Sequence, residues 1–424
     1  MIRNLLWAIF LLASAVAPAR AAEPSAEVTE RARELVPMLN GQGRPEQLFS
    51  PTFLAQVTPA RVAAIAAELR ESYGTAREVL SVEASGPAAA TVSIAFERAV
   101  VKMKLAVGAD PPHLIEGLLV IGAEATAADV PTVFGEIVGL PGEVSLAAAR
   151  LEESGPANFL TQQAERPLAI GSAFKLFVLA ELVREVKAGE RRWSDVVPLG
   201  PPSLPSGLLQ DWPKGSPITL HSLAALMISR SDNSATDTLL DVLGREKVER
   251  LLPALGIRAA ERNRPFLSTR EAFALKLGDP ALLEAWKKAD ESGRRALLPR
   301  LVAVAAQPLD PMRFRGRPTE IGTIEWFASP ADLVRTLDWL RRNGDSTTLD
   351  LLAINSGLGS ALAKDFAYFG YKGGSEPGVV NLSFLLRSRG GRWMAVAATW
   401  NNPEAPVDEA RFAALMSRLV SLMR

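Results

Sequence analysis

Three short stretches of this 424-residue chain carry residue types and spacings suited to nucleophilic chemistry. The first is Ile170-Gly171-Ser172-Ala173-Phe174-Lys175. Ser172 and Lys175 are three apart, so on a helix they share one face. The following residues, Leu176 to Ala180 with Leu182 and Val183, are apolar nearly all round, the pattern of a helix buried in a core. Ser172 is expected at its start, where free backbone N–H groups and the positive dipole end favour an oxyanion. A lysine in such an apolar setting has a depressed pKa and can act as a base. Ser-x-x-Lys alone also fits an N-cap serine followed by a surface lysine, so it needs support from elsewhere.

That support comes from Ser231-Asp232-Asn233, between two apolar helical patterns, and from Lys372-Gly373-Gly374-Ser375, which opens an expected strand. Together the three elements resemble the active-site set of the penicillin-binding protein and class A β-lactamase superfamily. The resemblance covers roughly Gly142 to Arg424. The gap from Ser231 to Lys372 is more than twice that from Ser172 to Ser231 and implies an insertion.

The composition removes the competing chemistries. There is no cysteine, which excludes a thiol nucleophile, disulfides and cysteine metal sites. Histidine is limited to His113 and His221, too few for a zinc hydrolase, so no metal and no cofactor are expected. His113 follows Asp110-Pro111-Pro112 in an expected loop and His221 begins a helix. Both read as surface residues, so the base of a nucleophilic serine is expected to be lysine. Lys+Arg and Asp+Glu are both 47, and nothing in this balance suggests a nucleic-acid partner. The expected partner is a small molecule; the oligomeric state is left open.

The elements that must position these residues can be read along the chain. Residues 1–21 form a signal-like segment: Arg3, the apolar run Leu5 to Ala13, and Ala19-Arg20-Ala21 as a small-x-small cleavage site. A periplasmic or secreted mature protein follows from it. No later stretch is long enough to span a membrane. Residues 25–125 read as a separate domain. Helical spacing in Val28, Ala32, Leu35, Leu39 and in Val62, Ile65, Leu69 gives way to period-two strands, Val79–Val82, Thr91–Phe96, Val101–Val107 and Leu114–Ile121. Helices followed by a curved antiparallel sheet look like the NTF2/cystatin-like α+β fold. Residues 126–141 read as a linker. From Gly142 the chain is expected to form a second α+β domain, an antiparallel sheet flanked by helices, as the superfamily resemblance implies. Its first strand is Val144–Leu151. Gly189 to Gly215 is a Pro/Gly-rich loop that can border a cleft. Gly278 to Gln307 is charged, helical and interrupted by Gly293, and is taken as the insertion. Tyr371–Arg387 and Arg392–Trp400 read as two antiparallel strands, and Glu409–Met423 as a closing helix.

The resemblance also implies roles. Ser172 matches the nucleophile and Lys175 its base. Ser231 matches the serine that passes a proton to the leaving nitrogen, and Lys372 the strand lysine that orients Ser231 and attracts a substrate carboxylate. Asn233 matches the contact to the substrate's amide side chain. Gly373, Gly374 and Ser375 line the substrate, with the N–H groups of Ser172 and Ser375 as oxyanion hole. Asp232 reads as structural. Two departures stand out. The family usually has a hydroxyl residue where Gly373 stands. The Glu-x-x-Leu-Asn pattern that holds the deacylating water in efficient class A enzymes is absent from Glu261 to Glu271. The expectation is a serine hydrolase that acylates on Ser172 from a β-lactam, amide or ester and turns over weakly. The alternatives are a D,D-peptidase acting on cell-wall peptides and a non-turnover β-lactam or muropeptide binder. The domain order resembles the two-domain serine hydrolases related to a protein of clavulanic acid biosynthesis clusters.

Overall fold

The computed structural model describes residues 24–125, 129–204, 206–307 and 316–424. The signal-like segment 1–21 and residues 126–128 of the expected linker lie outside the described residues. The chain divides into two compact units, Met1–Ala128 and Asp129–Arg424.

In the first unit, helix starts sit where short polar residues can cap them. Ser25, Ser50 and Thr58 accept hydrogen bonds from Val28, Phe53 and Arg61 N–H groups, and Pro51 and Pro59 occupy the first helical turn. The two longer helices, Ala26–Leu39 and Pro59–Tyr73, precede a four-stranded antiparallel meander, Ala76–Gly86, Ala89–Phe96, Ala99–Val107 and Ile115–Ala125. Alternation is explicit in the third strand, where Val101, Met103 and Leu105 are buried and Lys104 is exposed. Val28, Ala32 and Leu35 close the core against Val92, Ile94 and Met103. An apolar cavity of about 290 Å³, lined by Leu35, Phe49, Phe53, Met103 and Leu118 among others, lies within this unit. Helices first and meander second is the expected order; the likeness to the NTF2/cystatin-like fold rests on that order alone.

The second unit is built on a five-stranded antiparallel sheet, in the order Tyr368–Glu376, Val379–Arg387, Trp393–Asn401, Glu143–Glu152, Gly155–Gln162. The first and last strands in sequence therefore meet in the middle, with Met394 opposite Arg150 and Asn401 opposite Glu143. The helix Pro330–Asn343 packs on this sheet and on the central helix Lys175–Lys187. It starts at a capping box, Ser329 with Asp332, with Pro330 in its first turn. Leu333, Leu337 and Leu340 are its buried stripe. The core around Lys175–Lys187 joins sheet residues such as Ala147, Leu385 and Ala395 to the helices Leu220–Ser229 and Asn233–Leu243.

Four features of the structure correct or add to the sequence expectations. The range 126–141 is not all linker: Val130–Val138 is a helix, capped by Asp129, whose Val133 and Ile137 are buried. It packs on the final helix, Glu409–Ser421, with Glu136 accepting from the two terminal guanidinium nitrogens of Arg418 at 2.7 and 2.9 Å. Two buried positions, with Gly135 between them and Gly139 after them, are too short a pattern to stand out. Second, Gly155–Gln162 is an edge strand that was not expected, because its exposed outer face leaves no apolar alternation. Third, Tyr371–Arg387 is a hairpin rather than one strand. Pro377-Gly378 turns the chain, with Gly378 at φ +86°. Val379 to Leu386 is buried on both faces, so no period marks the end of one strand and the start of the next. Lys372-Gly373-Gly374 thus sits inside the first strand of this hairpin. Finally, Gly293 does not interrupt a helix. Its N–H is capped by Asp290 at 2.8 Å in the first turn of Glu291–Ala305, and the break from Pro280–Lys288 falls at Ala289-Asp290. No described helix is long and apolar enough to cross a membrane.

Candidate active site

Ser172 stands in a single 3-10 turn, Gly171–Phe174, and the α-helix proper begins at Lys175. The turn is held from three sides. Asn401 accepts from Ala169 N–H at 2.9 Å and donates to Ala169 carbonyl at 3.0 Å. Phe174 stacks on Trp326 with ring centroids 3.7 Å apart. Gly171 takes φ +47°, and a Cβ there would stand 3.1 Å from Ser375 N. Beyond the turn the helix buries Leu176 to Ala180, which fixes Lys175 in the protein interior.

Lys175 is fully buried and surrounded by acceptors. Its Nζ lies 3.1 Å from Ser172 Oγ, 2.6 Å from the Ser231 carbonyl oxygen, 3.1 Å from Ser231 Oγ and 2.7 Å from Asn233 Oδ1. An ammonium has three protons for these four partners. Burial holds its pKa well below the usual lysine value, and the charge of Lys372 adds to the shift; Asp237 and Asp232 oppose it. A neutral amine here has a lone pair to accept the Ser172 proton.

Ser231 is one of the few non-glycine residues with positive φ, at +56°. Such strain persists only where the surroundings over-determine it. Here its carbonyl accepts from Lys175 and, at 2.7 Å, from Ser206 Oγ, while its neighbour Asp232 anchors everything around it. Asp232 caps the helix Asn233–Leu243 through Ala235 N–H at 2.8 Å. Its other oxygen accepts from Leu208 and Leu209 N–H at 2.6 and 2.9 Å. Asp232 therefore ties the Pro/Gly-rich loop to the site, so close that a Cβ at Gly207 would lie 2.2 Å from its carboxylate. Asn233 accepts from Lys175 and donates Nδ2 to Leu204 carbonyl at 2.9 Å.

The strand Tyr368–Glu376 brings the third stretch. Lys372 Nζ donates to Ser231 Oγ at 3.1 Å and to its neighbour's carbonyl, Gly373 O. Burial pulls its pKa down to about 7. Gly374 runs directly against the Ser172 turn: a Cβ there would lie 2.3 Å from Ser172 N and from Ile170 O. Only glycine permits this approach, which draws the N–H groups of Ser172 and Ser375 to one place. Ser172, Lys175, Ser231 and Lys372 consequently form one hydrogen-bonded chain, with Asn233, Gly373, Gly374 and Ser375 around it.

Two cavities meet at this chain, sharing Ser172, Ser206 and Ser375. One, of about 380 Å³, extends past Asn233, Leu204, Phe273 and Trp326. The other, of about 300 Å³, extends past Ser231, Lys372, Tyr371 and Arg230. Neither histidine lines either cavity. Among the described residues there is no group of three or more His, Cys, Asp or Glu able to hold a metal ion.

Several residues at the site were not singled out from sequence. Ser206 and Leu204 come from the Pro/Gly-rich loop, and their position follows from Asp232. Lys276, Glu325 and Glu376 form a buried ionic cluster bordering the larger cavity. Lys276 Nζ lies 2.6 Å from Glu325 Oε1 and 2.6 and 2.8 Å from the two Glu376 oxygens. Burial, with Glu325 alongside, pushes the Glu376 carboxyl well above its ordinary range. Glu376 follows Ser375 directly, but its partners lie 51 and 100 positions away, a pairing no local pattern carries. Glu271 accepts from both terminal nitrogens of Arg245, at 3.0 and 2.7 Å, and from Ser268 N–H as a capping box. Glu261 is exposed, and neither carboxylate lines the cavities at Ser172.

The family model described as "Beta-lactamase enzyme family" matches residues 136–421. The chain belongs to this family. The match takes in all eight residues of the site and leaves the first unit uncovered. Similar solved structures include a β-lactamase from Sphaerobacter thermophilus, 21% identical, covering 69% of this chain and 94% of that one at TM-score 0.48. A β-lactamase from Chitinophaga pinensis is 17% identical over 69% and 96% of the two chains, TM-score 0.47. The structure of PBP-A is 15% identical over 69% and 93%, TM-score 0.46. None of the curated proteins matches the chain. Family membership agrees with the superfamily resemblance read from the three motifs and with the mixed helix and antiparallel-sheet architecture of the second unit.

Proposed function

We propose that this member of the β-lactamase enzyme family is a serine hydrolase that forms an acyl-enzyme at Ser172. The observation carrying the proposal is the unbroken chain from Ser172 Oγ through Lys175 Nζ and Ser231 Oγ to Lys372 Nζ, each step 3.1 Å. Neutral Lys175 takes the Ser172 proton as Oγ attacks the substrate carbonyl. The N–H groups of Ser172 and Ser375 receive the oxyanion. Ser231 passes its proton to the leaving nitrogen or oxygen and is resupplied from Lys175, while Lys372 orients Ser231 and attracts a substrate carboxylate. Collapse of the intermediate then leaves the acyl group on Ser172 and the leaving group protonated.

Deacylation needs a base within reach of a water. Glu271 is committed to Arg245, Glu261 is outside the cavities, and Glu325 and Glu376 share Lys276. The substrate class is therefore a β-lactam, amide or ester that acylates faster than it is released. The same feature favours the second reading, a D,D-peptidase or penicillin-binding activity with a long-lived adduct. From the signal-like segment the site of action is periplasmic or secreted, and residues 25–125 form an accessory domain. A chromogenic cephalosporin tests the reading: slow turnover after a burst is expected, and neither turnover nor adduct would reduce the protein to a binder.

A further inference from the structure

Tyr371 sits two residues before Gly373 on the strand Tyr368–Glu376, so both point to the same face of the sheet. Its ring is clamped: it stacks on Phe384 with centroids 5.2 Å apart, and a Cβ at Gly357 would lie 2.5 Å from the ring. The ring's far end leans over Gly373, whose Cβ would stand 2.1 Å from the Tyr371 hydroxyl oxygen. The phenol thus fills the space that any side chain at 373 would enter. Among the described residues this hydroxyl has no hydrogen-bond partner, and Tyr371 lines the smaller cavity beside Ser172, Ser231 and Lys372. The charged residues lining that cavity are Lys372 and Arg230, with Glu409 as the single carboxylate.

We infer that the Tyr371 hydroxyl is a donor for the carboxylate of the substrate, acting with Lys372 from the space that Gly373 leaves open. A half-buried hydroxyl at the end of a clamped ring, open on one side to a cavity that carries Lys372 and Arg230, is placed to bond a ligand rather than the protein. Burial, with Glu409 nearby, pushes the phenol up to about 12, so it stays a neutral donor through the working pH range. Gly373 and Tyr371 then form a matched pair. A hydroxyl comes from the ring at 371, and the residue at 373 must lack a side chain to admit it. The inference deepens the acyl-transfer reading by naming an anionic group on its substrate.

The test separates binding from chemistry. Ser172→Ala removes the nucleophile, and calorimetry then gives Kd for benzylpenicillin and for its methyl ester, whose carboxylate is masked. Adding Tyr371→Phe keeps the ring and its stack, which thermal melting verifies. The expected result is a loss of about tenfold or more for benzylpenicillin, the scale of one hydrogen bond to a charged group, with the ester unchanged. Equal loss for both compounds, or none, overturns the inference. So does a Ser172→Ala protein that binds neither. The acyl-transfer reading is judged separately, by adduct formation on the unaltered protein.

Discussion

Lys175 and Ser231 are bonded twice: the amine nitrogen lies 2.6 Å from the serine carbonyl oxygen and 3.1 Å from its hydroxyl. The contact joins the start of one helix to a strained residue between two others, 56 positions apart. In the proposed mechanism it makes the proton path from Ser172 to a leaving group continuous. Removing the Ser231 hydroxyl should break that path without disturbing the fold. Ser231→Gly suits its positive φ, so stability should change by no more than about 1 kcal/mol. Acylation by penicillins should fall about 10²–10⁴-fold, the usual range for one positioned proton transfer. Stopped-flow acylation and a thermal melt check both.

The proposed mechanism demands opposite charge states of the two lysines. Lys175 acts neutral, and its lowered pKa supplies that form. Lys372 attracts an anion only when protonated, and its pKa is near 7. Since protonated Lys372 is lost as pH rises, kcat/KM for a carboxylate-bearing penicillin should decline above about pH 7. The neutral methyl ester should lack this limb. The same shift links to stability. Between about 7 and the unfolded value of 10.5 the native state binds fewer protons than the unfolded chain, so this group's contribution rises with pH across that window. Lys372→Met should flatten that slope in denaturant titrations at several pH values.

Gly374 is where the strand meets the nucleophile turn. Gly374→Ala places a methyl 2.3 Å from Ser172 N, so strand or turn must shift. Overpacking of this kind costs typically about 1–3 kcal/mol. The acylation rate should fall by more than the drop in Tm accounts for, because the two N–H donors move apart.

Glu271 is a control for the deacylation argument. Glu271→Gln breaks a buried ion pair with Arg245 and weakens a helix cap, so it should destabilise by about 3–5 kcal/mol. The lifetime of the acyl-enzyme, followed by mass at a temperature where the variant is folded, should not change. A lifetime that lengthened many-fold would make Glu271 the base after all.

The separate cores of the two units predict that a chain beginning at Asp129 folds alone. It should melt cooperatively. A chain beginning at Gly142 loses the helix Val130–Val138 and exposes the apolar face of Glu409–Ser421, so its Tm should be lower.

What could be read from sequence follows the range of the forces involved. The buried helix after Ser172 and the closing amphipathic helix are local patterns of period, and the structure has both. The three motifs were legible because each is a short run of restricted residue types, and the structure brings them together around Ser172 and Ser231. Less legible was whatever depends on distant packing. The hairpin at Pro377-Gly378 hides inside a run buried on both faces. The helix Val130–Val138 is defined by its partner at the far end of the chain. Lys276 acquires its role only from Glu325 and Glu376. Tyr371 reads as an ordinary strand aromatic until its hydroxyl is seen above Gly373.

The central claim is that Ser172 is the nucleophile, and intact-mass spectrometry after incubation with benzylpenicillin tests it most directly. A single adduct of the full mass of the drug, mapped to Ser172, persistent over many minutes and absent from a folded Ser172→Ala protein, is the predicted result. No adduct with several β-lactam classes, or one that survives Ser172→Ala, would contradict it.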